Sequence, residues 1–273
     1  MPHLKAAPVP RMGIPKPGTT AWTAFLHDYI RDGFVQVREG RETTAGARPK
    51  HGIQFGKAEP CGEQVPHLRS AWWHTRTSVH DPSDGIGYEQ FAQGLLQDHT
   101  VHEQEYIPTL VKAERLEALV PGVAEIWHLH YRTPAFVRNR DFIQLVLTLA
   151  LPDHTEPFSE AHEVATLNSL VGGPIPDTAP GGPRSFLVVN QPVSEMNEPP
   201  VHHIRAFYAS AEGVWETARG GPIAWLMSVQ TDSAGWVPSW MQEKMMPAKI
   251  GEDVPCFLTW AKTRRAGEPQ PAE

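Results

Sequence analysis

Residues 223–231 read IAWLMSVQT, and Asp232, Gly235, Trp236 and Pro238 follow directly. The nine residues alternate around aromatic and aliphatic side chains as a half-buried strand does, while D-x-x-G-W-x-P supplies turn residues and a proline suited to a helix's first turn. A strand is thus handed to a C-terminal helix. Past an expected break at 247–251, Ile250, Val254, Phe257, Leu258 and Ala261 recur at i, i+4, i+7, i+8 and i+11, the stripe of a helix laid on an apolar surface. A long terminal helix across a curved antiparallel sheet encloses space, so the end of the chain points to small-molecule binding.

Composition bounds the rest. The chain has 273 residues, 40% hydrophobic and 20% charged, ordinary for a globular protein with a substantial core. The longest apolar run, 142–151, is interrupted by Gln144 and falls far short of the ~20 residues of a membrane-spanning helix. Prolines occupy the N-terminus where a signal peptide would have its apolar core. Two cysteines, Cys61 and Cys256, and no N-x-S/T sequon fit a reducing, cytoplasmic setting with free thiols. A formal charge of −7 argues against nucleic acid and anionic membrane surfaces as partners. Oligomeric state is not readable.

The pattern predicts one domain over 20–265 between proline-bearing, disordered tails at 1–19 and 266–273. Trp22, Phe25, Leu26, Tyr29 and Ile30 give a first amphipathic helix, and 39–63 is polar and Gly-rich. Residues 71–80 read as a strand, 81–87 as a turn and 88–106 as helix. The segments 123–131, 142–151, 185–193, 203–211 and 223–231 then form five consecutive strands of an antiparallel meander. Between 152 and 184 runs a long connection with a short helix at 160–170 and a Gly/Pro loop, the kind of segment that serves as a lid or elaboration.

Trp127 to Val146, WHLHYRTPAFVRNRDFIQLV, resembles the START lipid-binding domains, in which an Arg-Asp-Phe element opens a central strand; here it is Arg140, Asp141, Phe142. Ile204, Arg205, Ala206 and the D-x-x-G-W-x-P run match the same family in the same order. RTSVHD at 76–81 and the Trp-rich strand before it look like a fungal branch of START-like proteins of unassigned function. The resemblance implies an α+β, START-like helix-grip fold: a curved antiparallel sheet around a long C-terminal helix, with an internal apolar cavity. It implies no single chemistry, because relatives include lipid carriers, hormone receptors and polyketide cyclases.

Strand parity assigns faces. The resemblance turns Phe142 inward, and with it Gln144, Val146 and Thr148, leaving Ile143, Leu145, Leu147 and Leu149 on the other side. The same family phase turns Ala206 and Tyr208 inward. On 223–231 either Trp225 and Met227 or Leu226 and Ser228 face the cavity, the first pair preferred. On 123–131 the family phase puts Trp127, Leu129 and Tyr131 inward; the opposite phase would bring His128 and His130 into the pocket, where desolvation would keep an imidazole neutral as a general base. Trp240, Met241, Val254, Phe257 and Ala261 form the expected roof, and plain core packing is the alternative for every aromatic here.

His99 and His102, beside Glu103 and Glu105, could begin a metal site, but nothing completes a recognised motif, and neither metal nor cofactor is assigned. Arg76 either answers a ligand carboxylate or phenolate, or pairs with an acid on a neighbouring strand. GxGxxG, GxxxxGK[ST] and GxSxG are absent from the sequence. The expected partner is a hydrophobic small molecule in the internal cavity. Of two roles, the polar and aromatic mixture at 128, 144, 208 and 225 favours a cofactor-independent cyclase or isomerase of fungal secondary metabolism. Its substrate would be polyketide-like or terpenoid, with Tyr208, Gln144 and His128 orienting it. The alternative is a non-catalytic lipid carrier or sensor.

Overall fold

A computed structural model describes residues 3–59, 72–134, 137–172, 179–232, 234 and 238–267. In chain order the elements are β1 (Val9–Pro10), α1 (Thr20–Thr44), β2 (Ile53–Ala58), β3 (Trp73–His80), α2 (Tyr88–Phe91), a π-helical turn (Ala92–Leu96) and α3 (His99–Tyr106). There follow β4 (Leu110–Val120), β5 (Ala124–Tyr131), β6 (Asn139–Ala150), α4 (Glu160–Leu170), β7 (Ser185–Ser194), β8 (His203–Arg205), β9 (Phe207–Glu216), β10 (Ile223–Asp232) and α5 (Ser239–Gly267).

One large sheet runs in the order β2-β3-β10-β9-β7-β6-β5-β4, every neighbour antiparallel. The predicted meander is its centre, and the β2–β3 hairpin joins beyond β10. Parity gives the sheet two apolar faces. Ile143, Leu145, Leu147, Leu187 and Leu226 form an outer core with Phe34 and Val37 of α1. Trp127, Leu129, Val146, Val188 and Trp225 form an inner core with Val254, Phe257 and Ala261 of α5. Helix α1, opened by a Thr19 side-chain cap on the Trp22 N–H, lies so close that a Cβ on Gly33 would meet Leu187 Cδ2 at 2.9 Å.

Four expectations change. Residues 3–19 are not a loose tail: Leu4, Ala6 and Ile14 are buried, Gln191 donates to the Ala7 carbonyl, and β1 pairs in parallel with β7. The polar stretch 39–63 contains the end of α1 and all of β2, and β4 follows the helices unannounced. Helix α5 runs unbroken through Pro247 and Pro255, each of which forfeits one helical hydrogen bond. Residues 266 and 267 continue α5, and 268–273 lie outside the described residues, as do Cys61, Gly235 and Trp236.

Candidate ligand-binding site

Cross-strand register sets a row of side chains across the inner face. Arg76 of β3 lies opposite Met227 of β10, which lies opposite Glu212 of β9, then Val188 of β7 and Thr148 of β6. The next row holds Ser78, Trp225, Val214 and Phe186. Directly opposed residues share a face, so Trp225 and Met227 point to the side covered by α5. Phe257 meets Trp225 and Phe91 edge-on or tilted, with ring centroids 5.2 and 4.9 Å apart.

Charge is set into this apolar box. Arg76 is fully buried; its guanidinium lies 3.8 Å over the Trp225 ring, and Nε donates to the Ile250 carbonyl at 2.7 Å. Nη2 approaches Glu212 Oε2 only to 3.7 Å, and neither Nη1 nor Nη2 makes a hydrogen bond. Glu212 Oε2 accepts from Trp225 Nε1 at 2.9 Å. From α3, His99 and Glu103 reach the same place, with donor atoms of His99, Glu103 and Glu212 all within 4.8 Å of one another. Burial, with Arg76 opposing and Glu212 and Glu103 adding, raises the Asp253 carboxyl on α5 to about 7, and burial also raises Glu103.

Tyr131 and Tyr208 carry phenols that burial pushes well above the usual range. Both, like Met227, Glu103 and Asp253, are half-buried. Gln144 is buried; its amide donates to the Tyr208 carbonyl at 3.2 Å, and Oε1 has no partner. A cleft of about 560 Å³ between β2, β3 and the start of α5 is lined by Phe55, His74, Glu243 and Pro247 among others, and Phe55 packs in one cluster with Tyr208 and Met227.

The expected site residues divide. Trp127, Val146, Trp225, Val254 and Phe257 share the inner core, Phe142 packs at its margin, and Tyr208 and Met227 flank it around Val229. Thr148 lies in the inner row but spends its hydroxyl on the Gly122 carbonyl. Trp240 does not join the roof: it is 64% exposed, because the buried stripe of α5 runs through Met246, Ile250, Val254 and Phe257, while Met241 is half-buried. His128 is on the outer face, where Nε2 donates to Asp141 Oδ2 at 2.9 Å, so it cannot serve as a base in the inner space. His102 turns to Trp260, and Glu105 binds Trp260 and Arg264, leaving His99 and Glu103 as the inward pair of α3. Glu212, Asp253 and Tyr106 were not singled out from sequence. The alternation of Tyr208, Ser210, Glu212 and Val214 could have exposed Glu212, since it sets a carboxylate on an inward position.

This arrangement, a helix gripped by a curved antiparallel sheet, is the START-like helix-grip fold. Residues 73–261, well over half of the chain, match the family described as "Protein of unknown function (DUF3074)", and the chain belongs to it. Human StAR-related lipid transfer protein 5 is similar in fold, with a TM-score of 0.63 and 12% identity over 90% of this chain and 100% of that one. Human STARD10 superposes with a TM-score of 0.56 and 14% identity over 87% and 82% of the two chains. An uncharacterized protein of Schizosaccharomyces pombe, C577.11, is 37% identical over 92 residues, which span 33% of this chain and 37% of that protein. Among the described residues, no helix is long and apolar enough to cross a membrane.

Proposed function

We propose that the protein binds a hydrophobic small molecule that carries an anionic or carbonyl oxygen. The apolar body lies between Trp127, Phe142 and Val146 on the sheet and Val254 and Phe257 on α5, and the oxygen answers Arg76. The observation that carries this reading is the buried guanidinium with two idle nitrogens. Leaving such donors unsatisfied costs on the order of 1–3 kcal/mol, more for a charged group, and a ligand oxygen would supply charge-assisted bonds in its place. The similarity in fold to a human lipid transfer protein supports the apolar half.

Native mass spectrometry of the purified protein, together with titration by a fluorescent fatty-acid analogue, tests the reading. A stoichiometric complex is expected. Val146→Trp should block it by filling the ligand's volume, and Arg76→Met should weaken a carboxylate probe more than its methyl ester. Equal loss for both probes, or no binding at all, overturns the assignment.

Gln144 favours a second, finer reading as a cofactor-independent cyclase or isomerase. Its unpartnered Oε1 and the un-ionised phenols of Tyr131 and Tyr208 could orient a folded substrate and donate to its carbonyl. In that case Tyr208→Phe should lower turnover ~10²-fold, the usual cost of one oxyanion donor, with binding nearly unchanged.

A further inference from the structure

His99 is buried, and its Nδ1 lies 2.8 Å from the Leu95 carbonyl. A carbonyl only accepts, so Nδ1 is the donor there and Nε2 is the nitrogen left to face the interior. Nε2 is buried without a hydrogen-bond partner and lies 3.6 Å from Glu103 Oε1. An imidazole nitrogen and a carboxyl oxygen, both able to ligate a metal, thus face each other, with Glu212 closing the triangle inside 4.8 Å. Ligand atoms converge in this way around a cation.

We propose that His99, Glu103 and Glu212 bind a divalent transition-metal cation, zinc being the best match. The inference goes beyond the ligand-binding reading and stands without it. The i, i+4 spacing of His99 and Glu103 puts both donors on one face of α3, as in helical metal motifs, and β9 supplies the third. Neighbouring donors around tetrahedral zinc lie about 3.4 Å apart, so small side-chain rotations close the set. One imidazole and two carboxylates suit zinc, and three protein donors leave a fourth position for water or a ligand oxygen.

The supporting shell is already built. The Leu95 carbonyl orients His99, and Trp225 Nε1 fixes Glu212, the kind of outer-shell bond that aligns metal ligands. Charge agrees as well. Glu103, Glu212 and Asp253 set three carboxyl groups around the inner face beside the guanidinium of Arg76. A divalent cation would take the place of protons on such carboxyl groups, as metal binding ordinarily does.

The test uses full-length protein freed of metal by chelation and desalted, titrated with zinc chloride in a calorimeter without any organic ligand. Saturation at one equivalent is expected, with a raised melting temperature that magnesium does not reproduce. Glu103→Gln and His99→Gln, each checked for a cooperative melt, should bind at least tenfold more weakly; Glu103→Gln decides if the histidine variant does not fold. Absence of saturable binding by the wild-type protein overturns the proposal. So does unchanged affinity in a folded variant, which would assign the zinc to surface histidines. Failure of the fatty-acid probe to bind would leave this result unaffected.

Discussion

Asp141 carries three strands on one carboxylate. His128 of β5 and Arg205 of β8 both donate to its Oδ2, Arg205 through Nε at 2.9 Å with Nη2 in ion-pair contact at 2.7 Å, and its carbonyl accepts from Ala206. Burial pushes the Asp141 carboxyl up, but the bonds from His128 and Arg205 outweigh it and hold it below its ordinary value. Asp141→Asn should therefore be costly, because it leaves a half-buried guanidinium and a buried imidazole without their carboxylate. The expected loss is about 3–5 kcal/mol, read as a lower urea midpoint with unchanged slope; a loss below about 1 kcal/mol would refute this role. At this scale the sequence yielded faces but not partners. Parity placed Phe142, Gln144 and Val146 together, and the family phase of β5 is the one the structure has, with Trp127 and Leu129 in the inner core. That His128 serves Asp141 depends on Arg205, 64 residues further along, which no local pattern connects to them.

Among elements, β1 went unread in the supposed tail, and two further unread strands, β2 and β4, are the two edges of the sheet. A central strand must be apolar on both faces, which writes a pattern into it. An edge need not be, and β4 intersperses Lys112, Glu114, Arg115 and Glu117 with its apolar residues, charges that also discourage pairing with another chain. Helix α5 was legible from its stripe but not in its continuity, since prolines ordinarily end a helix and here packing overrides them. That packing is tightest at the π-helical turn. A Cβ on Gly94 would lie 2.5 Å from Trp260 Cζ3 and 2.6 Å from Phe257 Cε2. Gly94→Ala should thus lower stability despite the better helix former: overpacking costs about 1–3 kcal/mol, against a propensity gain of at most about 1. The same shift of Phe257 should weaken binding of the fatty-acid probe. A variant that melts at or above the wild-type temperature would show that the rings have room to spare.

For the whole molecule, the resemblance to START domains supplied the helix-grip architecture, and an antiparallel meander closed by a terminal helix was legible from alternating strands and one striped helix. The interior charge cluster was not, because it is drawn from β3, α3, β9 and α5 and exists only once the chain has closed. The same closure buries histidines on both sides of the sheet, and this gives the fold a pH dependence with a definite sign. His162 of α4 accepts from the Phe158 N–H at Nδ1 and so donates from Nε2 to the Pro152 carbonyl at 2.9 Å, which fixes it as a neutral ring. Burial, helped by His154 and Arg41, lowers it to about 4, against about 6.5 in an unfolded chain. The unfolded state therefore binds the extra proton between those values, and stability from this group is complete above about 6.5 and drains away as pH falls towards 4. Asp253, raised to about 7, acts with the opposite sign, so the total curve does not isolate the histidine. The difference between wild type and His162→Gln does. At pH 7 the variant should be the less stable, and the gap should narrow by about 2–3 kcal/mol on acidification to pH 4, measured by urea unfolding at each pH. A gap that stays constant or widens would mean that His162 titrates alike in the folded and unfolded chain.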